Sequence, residues 1–174
     1  MGYLDVVLIV LIVLYSVKVL QNLKQFIKEV ILANFSLDIL KGVKYKYISK
    51  VWFDDIYPMG LVNHKCHVNA YNQAVTSTET YKRDCEIIVC LCVGDDDVFV
   101  HMINHDFETG KYYDVTLGAY GNERVLYYQV SAIRYPYGCR LMPNPADVLI
   151  EYKEQILKDN FNWFERLFVS VDDI

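Results

Sequence analysis

An apolar run near the start of the chain predicts a helix. Residues 6–17 are twelve uncharged residues, mostly Val, Leu and Ile, between Asp5 and Lys18. At 1.5 Å per residue this run is about 18 Å long, shorter than the roughly 30 Å hydrocarbon layer of a bilayer. Apolar neighbours can lengthen it, because a flanking lysine can extend its ammonium group to the headgroups. These neighbours are Tyr3, Leu4, Val19 and Leu20. We therefore predict a membrane-anchor helix over residues 1–22.

The residues on either side of this apolar run favour an anchor that is not cleaved. A signal peptide has a positive first segment and a small-residue cleavage site, whereas this chain begins Met1-Gly2-Tyr3-Leu4-Asp5. Seven lysines lie between residues 18 and 50, against two acidic residues. These lysines predict a basic helical neck over residues 23–50 that lies near anionic lipid headgroups. They also predict a single-pass protein whose body lies in the cytoplasm. The alternative is a buried amphipathic helix with a solvated lysine face.

Four later segments have the apolar or alternating pattern of β-strands. They are residues 85–93, 98–104, 111–117 and 125–133. Their connections are short and carry turn residues, as in Gly94-Asp95-Asp96-Asp97, so we expect an antiparallel meander. Residues 43–51 are ambiguous, because they alternate as a strand does but lie among lysines.

Two further segments predict helices. Residues 66–76 place Val68, Tyr71 and Val75 on one side of a helix, and a final helix follows Pro143-Asn144-Pro145 and runs toward Phe168. The sequence thus predicts an α+β fold. Its N-terminal membrane-anchor helix precedes a domain over residues 51–174, in which a helix packs on an antiparallel sheet of about four strands.

Charge and cysteine content narrow the possible partners. The formal net charge is −5, and from residue 51 onward ten basic residues stand against nineteen acidic ones. Such a domain is a poor candidate for nucleic-acid binding, which needs a positive surface. Five cysteines, an odd number, fit a reducing compartment. A metal site would combine His64, Cys66, His67, Cys90 and Cys92. Their spacing matches no usual ligand pattern, so we predict no metal and no cofactor.

Cys66, His101 and Asp114 form a candidate catalytic set. Cys66 lies at the predicted start of a helix, and a helix N-terminus and a nearby imidazole are common means of ionising a thiol. If residues 106–109 form a hairpin loop, His101 lies directly opposite Asp114. The carboxylate would then orient the imidazole, as the third member of a triad does. A shift of one residue would send the two side chains to opposite faces.

Each of these residues also has a simpler interpretation than a catalytic role. Cys66 could be a buried core thiol, His101 could be a core histidine, and His105 could compete with it as the base. Asp114 is harder to explain in this way, because a lone carboxylate in an apolar strand is costly unless it is paired.

The order of Cys, His and Asp resembles the papain-like superfamily, especially its transglutaminase-like branch. The matching stretches are Cys66-His67-Val68-Asn69-Ala70, Val100-His101-Met102-Ile103-Asn104 and Gly110-Lys111-Tyr112-Tyr113-Asp114-Val115-Thr116. The resemblance covers roughly residues 60–135 and implies a papain/transglutaminase-like core with a Cys66, His101 and Asp114 triad. The chain has no tryptophan beside the cysteine and no glutamine shortly upstream. Asn63 or the backbone N–H of Cys66 would therefore bind the oxyanion, with Asn69 as a supporting residue.

The resemblance implies a membrane-anchored cysteine-nucleophile enzyme that acts on amide or ester bonds of a protein or peptide through an acyl-enzyme. Hydrolysis would make it a protease, amidase or deamidase, and transfer to an amine would make it a transglutaminase. The alternative is a catalytically inactive papain-like scaffold that serves as a membrane-tethered interaction protein. In a third possibility, the apolar leader and the aromatic residues 161–168 mediate helix packing or membrane contact in a structural protein.

Overall fold

A 38-residue helix, α1 (Tyr3–Leu40), begins the chain. The structure is a computed structural model that describes residues 3–53, 61–95, 97–120, 125–135 and 143–174. Residues 8–14 of α1 are exposed, whereas Phe35 and Ile39 are buried in the core of the domain. The segment Leu8–Leu40 is long and apolar enough to cross a membrane. The predicted helical neck over residues 23–50 is helical only to Leu40, since Gly42 follows with a φ of 65° and β1 begins at Lys46, and the second half of α1 is also part of the domain.

In the described part of the chain, six strands form a curled mixed sheet. They are β1 (Lys46–Ile48), β2 (Val51–Trp52), β3 (Cys85–Val93), β4 (Val98–Asp106), β5 (Lys111–Tyr113) and β6 (Leu126–Tyr135). Their spatial order is β1-β6-β3-β4-β5-β2. Neighbouring strands are antiparallel except β2 and β5, which are parallel. The α+β class is confirmed.

The predicted antiparallel meander of about four strands is wrong in its order. β6 pairs with β3, on the side opposite β4, instead of following β5 across the sheet. β1 and β2 add one strand at each edge. β1 has three residues and lies within residues 43–51, whose pattern is ambiguous in the sequence, and β2 has two residues, which is too short for alternation to reveal it.

The central strand β3 is covered on both faces. One face packs against the helices and the other against a second apolar cluster that includes Ile103 and Tyr127. The two sets of β3 side chains are Ile87, Val89 and Leu91, and Ile88, Cys90 and Cys92. A strand buried on both faces needs an uninterrupted apolar run, and residues 85–93 supply one. Cys90 and Cys92 are therefore core residues.

Three shorter helices follow α1 within the described residues: α2 (Cys66–Glu79), α3 (Val115–Tyr120) and α4 (Pro145–Asn160). The predicted final helix, running toward Phe168, is too long. The residue after α4, Phe161, is extended. Asn162 Oδ1 then accepts hydrogen bonds from the backbone N–H groups two and three residues further on. These bonds satisfy N–H groups that a continued helix would bond internally, and a separate 3-10 turn, Glu165–Leu167, follows.

The predicted strand over residues 111–117 is wrong in its extent. β5 ends at Tyr113, and α3 begins at Val115. Asp114 separates them, because its Oδ1 accepts hydrogen bonds of 2.9 Å from the backbone N–H groups of Thr116 and Leu117. A carboxylate in this position caps a helix, so the chain turns out of the strand.

α3 is held close to the end of β2. The backbone N–H of Asp114 donates to the carbonyl of Trp52 at 3.0 Å. A Cβ atom on Gly118 would lie 2.6 Å from the carbonyl oxygen of Phe53. Only glycine permits this approach, which keeps Asp114 beside the sheet.

Candidate active site

Cys66 is the first residue of α2, as the sequence predicts. His64, just before it, has a φ of 56°, so the chain turns sharply into the helix. Within the described residues, no side chain caps the first turn of α2, which leaves its first N–H groups available to a ligand. The thiol is nearly buried, with Cys66 8% exposed.

His101 lies in the middle of β4 and is 3% exposed. Its Nε2 lies 2.8 Å from Asp114 Oδ2, so the ring donates its Nε2–H to the carboxylate. Cys66 and His101 line the same cleft, and His101 is the largest influence that lowers the pKa of the thiol. The structure thus brings Cys66, His101 and Asp114 together in the predicted order.

Asp114 uses both carboxylate oxygens. Oδ1 caps α3, and Oδ2 accepts hydrogen bonds from His101 and from the hydroxyl of Tyr127, at 2.8 and 2.7 Å. Burial by itself raises the pKa of Asp114, but the charge and hydrogen bond of His101, followed by the other hydrogen bonds, lower it. The carboxylate is therefore ionised and fully bonded, which is how a buried charge can be tolerated.

The electrostatics of the site favour an ionised thiol. Burial by itself raises the pKa of Cys66, but hydrogen bonding to His101 and His67 and the charge of His101 lower it to about 6. Burial by itself lowers the pKa of His101, but the charge and hydrogen bond of Asp114, and then Cys66, raise it to about 10. The lowered pKa of the thiol and the raised pKa of the imidazole both favour a thiolate and imidazolium pair, and the two groups titrate together.

The other described cysteines lack this activation. Burial raises the pKa of Cys85 to about 11 and the pKa of Cys90 and Cys92 well above the ordinary value. Thiolates, and not thiols, are nucleophiles. Of the cysteines in the described ranges, Cys66 alone has the acidic thiol that nucleophilic chemistry requires.

His105, the competing base, is engaged elsewhere. Its Nδ1 lies 3.1 Å from Glu86 Oε2. Its ring stacks on Tyr112 with 4.4 Å between the ring centroids. His105 therefore belongs to a separate cluster on the hairpin, and His101 is the imidazole that acts on Cys66.

The predicted hairpin register is wrong. Asp106 pairs with Lys111, so the loop is formed by residues 107–110 and not by residues 106–109. The Asp106 carboxylate begins this loop by accepting hydrogen bonds from two loop N–H groups. Gly110 ends it with a φ of 65°, a conformation that glycine adopts without strain.

The contact between His101 and Asp114 survives because the pairing is displaced by two positions, which preserves the face of each side chain. Asn104 pairs with Tyr113, so Asp114 follows one step beyond the strand, level with Ile103 and diagonal to His101. Diagonal neighbours on one face are within reach of long side chains. The predicted pair is therefore present, although its members are not directly opposed.

A cleft of about 530 Å³ opens at this site. Cys66 and His101 line it, together with Asn63 and His64 before α2, Phe99 and Asp97 at the start of β4, Leu117 of α3, and Leu149 and Lys153 of α4. Its wall combines apolar side chains with three histidines, one aspartate and one lysine. A cleft of this size can hold a short segment of a peptide or a comparable small group.

The two predicted supporting residues have different positions. Asn63 lines the cleft, where its amide can reach a bound group. Asn69 is fully buried and donates from Nδ2 to the Val62 carbonyl and to Thr116 Oγ1, at 2.8 and 3.0 Å. Its Oδ1 accepts from the Val62 N–H at 2.9 Å. Asn69 therefore joins the loop before Cys66 and α3 to α2, and does not contact the thiol.

The sequence does not identify Tyr127 as a site residue, and it offers His67 only as a possible metal ligand. Tyr127 comes from β6, and its role depends on a strand order that short-range patterns do not show. The position of His67 directly after Cys66 could have identified it. Its side chain interacts with the sulfur of Cys66. Its Nδ1 is buried and has no hydrogen-bond partner among the described residues.

Among the residues that the structure describes, no cluster of three or more His, Cys, Asp or Glu side chains could hold a metal ion. Comparisons of the chain with protein-family models, with curated proteins and with solved structures gave no match. The function must therefore be inferred from the geometry and electrostatics of the site.

Proposed function

We propose that this protein is a membrane-anchored cysteine-nucleophile enzyme that acts on amide or ester bonds of a protein or peptide. The observation that carries the proposal is the connected set of Cys66, His101 and Asp114 opening onto a cleft. A cysteine at a helix start, a histidine on one strand and an aspartate at the end of the next also support a papain-like core of the transglutaminase-like branch.

The first half of the proposed reaction forms an acyl-enzyme. The Cys66 thiolate attacks the carbonyl carbon, and a C–S bond forms as the carbonyl oxygen becomes negative. The backbone N–H of Cys66 and the amide of Asn63 stabilise this oxygen. The C–N or C–O bond then breaks, and the His101 imidazolium gives its proton to the leaving amine or alcohol.

The second half regenerates the thiolate. Neutral His101 takes a proton from water or from an acceptor amine as that molecule attacks the thioester. The C–S bond breaks, the acid or the new amide leaves, and His101 is again an imidazolium. Water as acceptor gives a protease, amidase or deamidase, and an amine gives a transglutaminase. Asp114 stays ionised throughout and holds the imidazole ring of His101 in place.

We also propose that α1 anchors the enzyme as a single span, with the body on the cytoplasmic side. The apolar segment of α1 and its exposure support the span. The lysines between residues 18 and 50 support the sidedness, because basic residues accumulate on the cytoplasmic side. Substrates would then be proteins or peptides close to that membrane surface.

Thiol labelling tests the catalytic part of the proposal. At pH 7 a thiol with a pKa of about 6 has roughly 30-fold more thiolate than one at about 8.5. We expect a limiting amount of a thiol-directed probe to label the full-length protein rapidly at pH 7, with loss of labelling in Cys66→Ala. Cys85→Ala, a matched control at another buried cysteine, should label like the wild type.

The His101→Ala variant separates an activated thiol from an ordinary one. It should retain Cys66 but react only as the pH approaches the ordinary pKa of a thiol. Equal labelling of Cys66→Ala and wild type would overturn the proposal, as would a wild-type thiol that reacts only above about pH 8.5. Either result would favour the inactive scaffold that binds a partner in the cleft.

A further inference from the structure

Lys153 brings a positive charge to the wall of the candidate active site. It lies on α4 one turn after Leu149, and both residues line the cleft that Cys66 also lines. Residues four apart lie on the same face of a helix, so α4 offers an apolar side chain and a cation to the same bound molecule. A peptide segment that fills this cleft beside the thiol therefore contacts Lys153.

The ammonium group of Lys153 can hold a further partner. The side chain is half-buried, and its Nζ donates to the carbonyl oxygen of Val171 at 3.1 Å. An ammonium group has three N–H donors, and a carbonyl group does not neutralise its charge. Within the described residues, no carboxylate forms an ion pair with Lys153. A charge that is partly shielded from water attracts an anion more strongly than an exposed charge does, because the local dielectric constant is lower.

Two acidic side chains on the elements around Lys153 are paired with other lysines. On α4, Glu154 Oε2 lies 3.7 Å from Lys158 Nζ. On the 3-10 turn that Lys153 contacts through its hydrogen bond, Asp173 Oδ1 lies 2.9 Å from Lys28 Nζ. Each of these carboxylates has its own cation, so neither neutralises Lys153.

Asp97, the acidic residue among the described residues of the cleft wall, does not neutralise Lys153 either. It is exposed, and a Cβ atom on Gly94 would lie only 2.6 Å from its Oδ1. The carboxylate of Asp97 therefore lies against its own turn. Asp172 is exposed, and Glu151 is exposed beside a different cavity. Water and salt screen exposed charges such as these, whereas a group bound in the cleft is shielded by the walls.

We propose that Lys153 is a specificity-determining residue, which binds a carboxylate of the protein or peptide substrate while Cys66 attacks a carbonyl group of the same molecule. The inference rests on the proposed function and adds a substrate class, namely acidic segments or free C-termini. The thiolate already has a positive partner in His101, so the ammonium group stays available to the substrate. Leu149, one turn away, suits an apolar side chain next to this carboxylate.

Paired electrophilic peptides test this preference through the labelling of Cys66. Each probe is a chloroacetyl tripeptide that ends in a carboxamide, and the thiolate displaces chloride from it. Glutamate or glutamine occupies the first, second or third position of otherwise identical apolar peptides. With full-length protein in neutral detergent at pH 7, we expect the glutamate probe to react about three- to tenfold faster than its glutamine twin at one or more positions. The ratio should shrink in high salt, because ions screen the attraction.

Two lysine variants assign the preference to its residue. In Lys153→Gln the ratio of the two rates should fall to about one. Lys158→Gln is the matched control and should keep the wild-type ratio, because Lys158 is an exposed lysine of the same helix that pairs with Glu154. A preference for glutamate that persists in Lys153→Gln would overturn the inference. If Lys153→Gln folds poorly, the wild-type comparison is still decisive, because equal rates within every pair also overturn it.

A further pair of glutamine probes, one ending in a carboxylate and one in a carboxamide, identifies the source of the carboxylate. Faster reaction of the free carboxylate supports recognition of a C-terminus, and faster reaction of the glutamate probes alone supports recognition of an acidic side chain. If the probes label Cys66 with equal rates within every pair, the thiol is active and only the carboxylate preference is wrong. If no probe distinguishes wild type from Cys66→Ala, the cysteine nucleophile is wrong and the inference fails with it.

Discussion

Asp114 has two roles that usually belong to separate residues. One oxygen ends β5 and caps α3, and the other orients His101 and accepts the Tyr127 hydroxyl. The fold therefore cannot place α3 without also placing the carboxylate of the triad. This coupling explains why a charged residue follows directly on an apolar strand.

Asp114→Asn should separate these roles. The amide oxygen can still accept from the N–H groups of α3, but the amide nitrogen cannot accept from His101 or Tyr127. Without the negative charge the pKa of His101 falls, and the thiolate of Cys66 loses its positive partner. We expect the midpoint of the pH dependence of Cys66 alkylation to rise by roughly 1 to 2 units from about 6. Rates of alkylation measured from pH 5 to pH 9 would show it.

Asp106→Asn is the matched control, because Asp106 also accepts two loop N–H groups in the same hairpin. It should leave the alkylation midpoint of Cys66 unchanged. An unchanged midpoint in Asp114→Asn as well would show that the charge of Asp114 does not reach the thiol.

At the scale of the elements, Asn69 connects the three parts that surround Cys66. Its side chain bonds the loop before α2 at Val62 and joins α2 to α3 at Thr116. We expect Asn69→Ala to lower the free energy of unfolding by about 2 to 3 kcal/mol, since three hydrogen bonds are lost and the buried Thr116 hydroxyl loses its donor. Chemical denaturation in detergent would measure this loss.

Asn72→Ala removes a partly exposed amide from the same helix and should cost less than about 0.5 kcal/mol. If the two variants were equally stable, the bonds of Asn69 would not hold α2 to its neighbours. If Asn69→Ala instead abolished labelling of Cys66 without lowering stability, the side chain would act on the thiol directly.

The elements that sequence patterns identified are those with strong local signals. β3 and β4 carry long apolar runs, and α2 has helical spacing after a polar loop. The hairpin loop was misplaced by one residue at each end, because the Asp106 carboxylate binds the N–H groups of Glu108 and Thr109, so that Asp106 pairs with Lys111 and the loop begins at residue 107. This error does not change the predicted site, because a displacement of the strand pairing by two residues keeps His101 and Asp114 on one face of the sheet.

For the whole molecule, the sequence could not supply the strand order. β1, β2 and β5 have two or three residues each, and their place depends on pairings with residues far along the chain. Tyr127 became a site residue only because β6 crosses back to pair with β3. Strand pairings between residues far apart in the chain produce no periodic pattern in a single sequence.

α1 is both a candidate membrane span and an element of the core. Phe35 is 6% exposed and packs on Phe161, whereas Phe26, on the same helix, is 62% exposed. We expect Phe35→Ala to destabilise the body by about 3 to 5 kcal/mol, through lost burial and the cavity it leaves. Phe26→Ala should have little effect on unfolding measured in detergent. Equal effects would mean that the second half of α1 does not belong to the core.

The unbroken course of α1 from the apolar run into the core would also limit the reach of the proposed enzyme. With α1 in the bilayer, no flexible linker separates membrane and body, and a domain of this length is only about 40 Å across. Cys66 then has a nearly constant distance from the lipid surface. Bonds that lie further from the membrane than that span would escape cleavage or transfer, even in a protein that carries the preferred residues. The length of a target's juxtamembrane segment would thus select substrates as strictly as the chemistry of the cleft.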